Sequence, residues 1–177
     1  PADQIAEACR TVSRWAEAEG ELATAVGYAQ MHALVMPTAP VPALVTARLA
    51  HRMGDHARAE LWYRRATGIA RRVRAWRAYT RSFSGLGTLA REPGNLPVAR
   101  RFHLRALRGA RRGGLGEERA VALHDLFGVE VEAGRDNEAR RYAESALEAY
   151  PRRSGRLPAF AHDVAYFWME QGDFGRA

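Results

Sequence analysis

Small and hydrophobic residues recur along this chain with a helical period, and glycine interrupts them at near-regular intervals. From His56 to Ala70 the sequence HARAELWYRRATGIA sets Ala59, Trp62, Tyr63, Ala66 and Ile69 on one stripe. The preceding PVPALVTARLAHRM is a weaker version. It carries Leu44, Ala47 and Ala50, or Val45, Arg48 and Leu49, at helical spacing. Gly54-Asp55 stands between the two. Glycine enters the left-handed conformation without a Cβ penalty, and aspartate accepts from the free amides of a following helix. Two helices of about four turns joined so tightly pack as antiparallel neighbours.

The same phrase, a turn glycine with alanine five residues on, recurs along the chain. It is found at Gly20 and Ala25, Gly54 and Ala59, Gly94 and Ala99, Gly134 and Ala139, and Gly172 and Ala177. The glycines are 34, 40, 40 and 38 residues apart. A period of this size predicts stacked helical hairpins. Small residues fall where the helices should cross: Ala47, Ala59 and Ala66, then Gly87, Ala99 and Ala106, then Ala139 and Ala146. Arg-rich stretches, Arg71 to Arg77 and Arg108 to Glu118, are read as the connectors.

These residues resemble the tetratricopeptide repeat family. The third repeat supplies Phe83, Leu86-Gly87, Gly94, Ala99 and Ala106. The fourth supplies Leu123, Leu126, Gly134, Ala139, Ala146 and Pro151, the first Cys9, Ser13, Gly20, Ala25 and Pro37, and the fifth Ala161, Val164-Ala165, Trp168 and Gly172. The resemblance covers essentially the whole chain, about four and a half repeats. It implies an all-α, right-handed superhelical solenoid of antiparallel hairpins, with repeats near 6–39, 40–79, 80–119, 120–157 and a truncated 158–177. Two departures stand in the fourth repeat: Phe127 at a small-residue position, and Ala143 at an aromatic one with Tyr142 just before it. The 40-residue period is longer than the family's usual 34 and is similar to the extended subclass of bacterial regulators and signalling scaffolds.

In the family, the first helix of each hairpin lines a concave groove. The resemblance therefore nominates Arg10, Arg14 and Glu17, then Val41, Leu44, Arg48, His51 and Arg52, then Arg81, Ser84, Thr88 and Arg91. It adds His124, Gly128, Val131 and Glu132 from the fourth repeat, and His162, Tyr166 and Met169 from the fifth. The first three repeats make this set basic. Arginine grips carboxylates in two-pronged fashion, so a protein or acidic peptide is the expected partner. No groove position carries the asparagine of the family's carboxylate clamp.

Composition narrows the alternatives. Hydrophobic residues make up 47% of the 177, which excludes an intrinsically disordered chain. All 27 basic residues are arginine and the net charge is +7, which favours acidic partners. Abundant alanine and glycine make part of that charge a coding bias. No apolar run reaches the roughly 18 residues of a membrane span, and no charged-then-apolar leader precedes the first helix. A cytoplasmic location is expected. The chain opens on Pro1 and stops at Ala177 in its fifth phrase, and is read as a piece of a longer protein. An unpaired fifth hairpin would leave Val164, Phe167 and Trp168 as an apolar edge for homodimer contact.

Catalytic chemistry finds little footing, and no enzyme activity, metal or cofactor is expected. No two histidines have the i, i+4 spacing with glutamate that marks a zinc helix. Cys9 is the only cysteine, at a packing position. Gly113-Gly114 and Gly116 lack the strand and lysine of a phosphate loop. His103 takes the place of a packing aromatic, and Trp15 and Trp76 lie near turns, where they could serve as exposed anchors. Two functional alternatives remain beside the peptide-binding groove. One is a regulatory or sensor segment of a larger bacterial signalling or transcription protein. The other is nucleic-acid binding through the helix face of Arg101, Arg105, Arg108 and Arg112.

Overall fold

The computed structural model describes residues 2–173 and 175–176. Among them lie α1 (Ala2–Ala18), α2 (Leu22–Val35), α3 (Pro40–Arg52), α4 (His56–Arg72), α5 (Trp76–Arg91), α6 (Leu96–Arg112), α7 (Gly116–Glu132), α8 (Asp136–Ala149) and α9 (Leu157–Glu170). Helices α1 to α8 pair as four hairpins, and each second helix leans on the first helix of the next pair. The first helices also meet one another, α3 with α5 and α5 with α7. The result is an all-α solenoid of antiparallel helix hairpins of tetratricopeptide type.

The glycine and alanine phrase is a structural register. Gly20, Gly54, Gly94, Gly134 and Gly172 all take positive φ. Ala25, Ala59, Ala99 and Ala139 are fully buried at the crossings; Ala177 lies outside the described residues. Asp55 caps α4, accepting from the Arg58 amide at 3.0 Å. At the α1–α2 crossing the buried Ser13 hydroxyl donates to the Ala25 carbonyl at 2.9 Å.

The Arg-rich stretches are not long connectors. Helix α4 runs to Arg72 and α5 starts at Trp76, while α6 runs to Arg112 and α7 starts at Gly116. The third and fourth hairpins thus begin at 76 and 116, not 80 and 120, because the turns that lead into them, residues 73–75 and 113–115, are as short as those within hairpins. Left-handed residues stand at 54, 74, 94, 114 and 134, one every 20 positions. A helix plus its turn is therefore the repeating half-unit. The 34-residue first spacing reflects the short α2 and α3, of 14 and 13 residues.

One of these turn positions breaks the pattern. Arg74 adopts φ 54° where its counterparts are glycines. A Cβ in this region costs about 1–2 kcal/mol, partly offset by glycine's larger unfolded-state entropy. Arg74→Gly is expected to stabilise the chain by roughly 0.5–1 kcal/mol, read as a higher urea midpoint with an unchanged slope.

Candidate partner-binding cleft

Three first helices, α3, α5 and α7, enclose a cleft of about 530 Å³. Its apolar lining is Val41, Leu44 and Val45 from α3 and Val121 from α7, with Tyr63 from α4. Ser84, Gly85 and Thr88 of α5 form the middle. Gly85 is required here, since a Cβ on it would lie 2.3 Å from the Tyr63 ring. Burial pushes the Tyr63 phenol up to about 12, so it stays neutral.

Of the sequence-nominated partner residues, the cleft gathers Leu44, Arg48 and Arg81, with Val41, Ser84 and Thr88. It also takes in Thr80, Glu117, Glu118, Asp125 and Arg156, which the family pattern does not mark. Its charged lining is thus Arg48, Arg81 and Arg156 against Glu117, Glu118 and Asp125. Within this cleft the charge is balanced and not basic.

Most nominated arginines already hold a carboxylate, and their partners lie on the neighbouring first helix. Glu17 of α1 accepts from Arg48 of α3 at 2.7 and 2.9 Å, and Arg52 of α3 joins the same carboxylate. The Arg48 hydrogen bonds hold the Glu17 carboxyl below its usual range. His51 of α3 lies 2.7 Å from Glu92, at the end of α5. Arg77 and Arg81 of α5 meet Glu118 of α7 at 2.9 and 3.1 Å, and Arg91 of α5 meets Glu132 at 2.6 Å. Gly128 makes room for that last pair: a Cβ there would sit 2.7 Å from the Arg91 guanidinium. The result is a ladder of ion pairs that ties successive first helices together. Each exposed rung is worth little, about 0–1 kcal/mol, but together the rungs fix the register of the concave face.

The remaining nominated residues are scattered. Arg10 pairs with Glu7 on its own helix at 2.6 Å, and Arg14 is exposed on α1. His124 is half-buried, 3.2 Å from the Tyr150 hydroxyl and with its ring 4.3 Å from Phe160. Burial holds its imidazole below the usual range. On α9, His162 and Tyr166 are exposed, apart from the cleft. Trp15 is 57% exposed on α1, whereas Trp76 stacks edge-on against Tyr79 beneath Arg112.

On α6, Arg101, Arg105, Arg108 and Arg112 are exposed and form no ion pair among the described residues. Two of them are engaged in packing, Arg105 over the Phe83 ring at 5.5 Å and Arg112 over Trp76 at 5.8 Å. No described helix is long and apolar enough to cross a membrane.

No protein-family model matches the sequence, and no curated protein does. Solved structures do match the fold. BtubC (BKLC) from P. vanneervenii is 23% identical, with a TM-score of 0.67, over 99% of this chain and 66% of its own. MamA from Desulfovibrio magneticus RS-1 is 15% identical, with a TM-score of 0.71, over 97% of this chain and 88% of its own. The apo form of RapI is 15% identical, with a TM-score of 0.70, over 98% and 79% respectively. At such identities the likeness shows the tetratricopeptide-like fold alone.

Proposed function

We propose that this chain is a non-enzymatic protein-interaction scaffold that seats a partner segment in the cleft of α3, α5 and α7. One observation carries the reading. An apolar lining that includes Val41, 57% exposed, lies open among charges of both signs, of which Arg48, Arg81 and Glu118 are already paired. Such a surface suits an extended or helical segment with one or two apolar anchors flanked by charges of both signs. Arg156, which has no carboxylate partner among the described residues, offers the free cation for an acidic flank. The segment can belong to another protein or to a longer polypeptide that carries this domain, as in the regulator reading; the cleft chemistry is the same.

The test takes a segment captured from the native host and titrates it against the wild type and against Leu44→Glu with Val121→Glu. Burying an anchor against this lining is worth about 1.5–3 kcal/mol, so the substituted chain should bind roughly 10–100-fold more weakly. Reversing Arg101, Arg105, Arg108 and Arg112 should leave binding unchanged. The opposite pattern, with affinity lost only on the α6 reversal and falling steeply with salt, would assign the function to the outer face.

A further inference from the structure

At the α3–α5 rung of the ion-pair ladder, three potential metal ligands from two hairpins converge. His51 ends α3, His56 opens α4 across the Gly54 turn, and Glu92 follows α5 in the next hairpin. His51 Nε2 lies 2.7 Å from one Glu92 oxygen and His56 Nε2 3.6 Å from the other. One donor atom from each residue lies within 4.8 Å of the others. The His51 ring is already oriented, edge-on to Tyr63 at 6.3 Å and to His56 at 5.7 Å.

His51 and Glu92 form a hydrogen-bonded pair, and His56 stands 3.6 Å from the second Glu92 oxygen, beyond hydrogen-bond reach but within ion-pair distance. We propose that the three residues form a binding site for one divalent transition-metal ion of zinc-like preference. Two imidazoles and one carboxylate suit such ions, whereas calcium and magnesium take shells of oxygen. Bonds of about 2.0–2.2 Å in tetrahedral array put ligand atoms roughly 3.3–3.5 Å apart. The spacing of His56 and Glu92 Oε2 is close to this already, whereas His51 faces the other oxygen, so a small rotation of the carboxylate, or binding through both oxygens, brings both imidazoles to one ion. The spacing of His51 and Glu92 Oε1 opens from 2.7 Å by about 0.6–0.8 Å as the ion replaces the shared hydrogen. With His56 and Glu92 side chains 57% and 41% exposed, water completes the shell. Bound there, the ion ties the second hairpin to the third and fixes the spacing of α3 and α5, two walls of the cleft. The site stands independently of what the cleft binds.

The experiment is a zinc titration of the chelator-treated chain by calorimetry, with cobalt(II) as a visible-absorption probe of coordination. One ion per chain is expected, with d–d bands of four-coordinate intensity. His51→Ala, His56→Ala and Glu92→Gln should each weaken binding by at least about tenfold. His32→Ala and His162→Ala should leave it intact. All of these positions lie outside the fully buried core, so helix content by circular dichroism should be unchanged and report that each variant folds. Absence of stoichiometric binding, or full affinity in any one of the three ligand variants, would overturn the proposal.

Discussion

Phe160→Ala is expected to destabilise the chain by about 3–5 kcal/mol. Phe160 has no exposed surface and lies at the centre of an aromatic cluster. Its ring is 4.3 Å from His124, 5.5 Å from Tyr150 and 5.7 Å from Phe127. Helix α9 follows a longer connector, residues 150–156, than the tight turns elsewhere, and side-chain packing fastens it: Phe160 in this cluster, with Val164, Phe167 and Trp168, which are buried and leave no open apolar edge. In a stacked architecture each unit is held by its neighbours, and the loss should be felt first at the end of the stack. Urea denaturation would measure the total. Hydrogen exchange should show the amides of 157–170 losing protection before those of α3 to α7. A loss below about 1 kcal/mol would mean that α9 is held by other contacts.

The second large effect concerns a buried charge. Glu130 of α7 has no exposed surface, and its carboxylate accepts from Arg100 of α6 at 2.7 Å and from Arg135 of the following turn. Replacing both arginines with methionine leaves that carboxylate buried without a cation, at an expected cost of about 3–5 kcal/mol. Either single replacement should cost much less, because one guanidinium remains. Adding Glu130→Met to the double variant should restore most of the stability, since an apolar side chain of similar volume has no charge to desolvate. Thermal unfolding of the four chains checks this. A triple variant as unstable as the double would show that volume, not charge, governs the site.

The turns and crossings were legible in the sequence because each depends on one residue type at one place. A left-handed turn favours glycine, and a close crossing favours alanine. The half-unit of 20 residues was hidden because Arg74 occupies a turn position that glycine holds elsewhere. The third repeat shows how size is exchanged across a crossing: Gly87 faces the buried His103, and a Cβ there would lie 2.3 Å from the imidazole. The two departures in the fourth repeat, Phe127 and Ala143, stand 40 positions on from Gly87 and His103. Large and small have traded places, and the pattern registers one exchange as two separate anomalies.

The balanced charge of the cleft is hidden in the sequence for a different reason. A list of first-helix residues counts arginines but not what they touch. Their carboxylates lie one repeat away in sequence, at Glu17 for Arg48, Glu118 for Arg81 and Glu132 for Arg91. Opposite charges 31–41 residues apart, close to the repeat length, were the available signal for the ladder. An i, i+4 spacing does not mark the convergence of His51, His56 and Glu92, because the turn sets the histidines five apart and Glu92 comes from the next hairpin.

The most direct test of the scaffold reading is hydrogen exchange on the complex with a captured partner segment. The cleft account predicts new protection along the inner faces of α3, α5 and α7, around residues 41–48, 77–88 and 117–125, with α6 unchanged. Protection confined to residues 101–112 would contradict it and place the partner on the outer, arginine-bearing face.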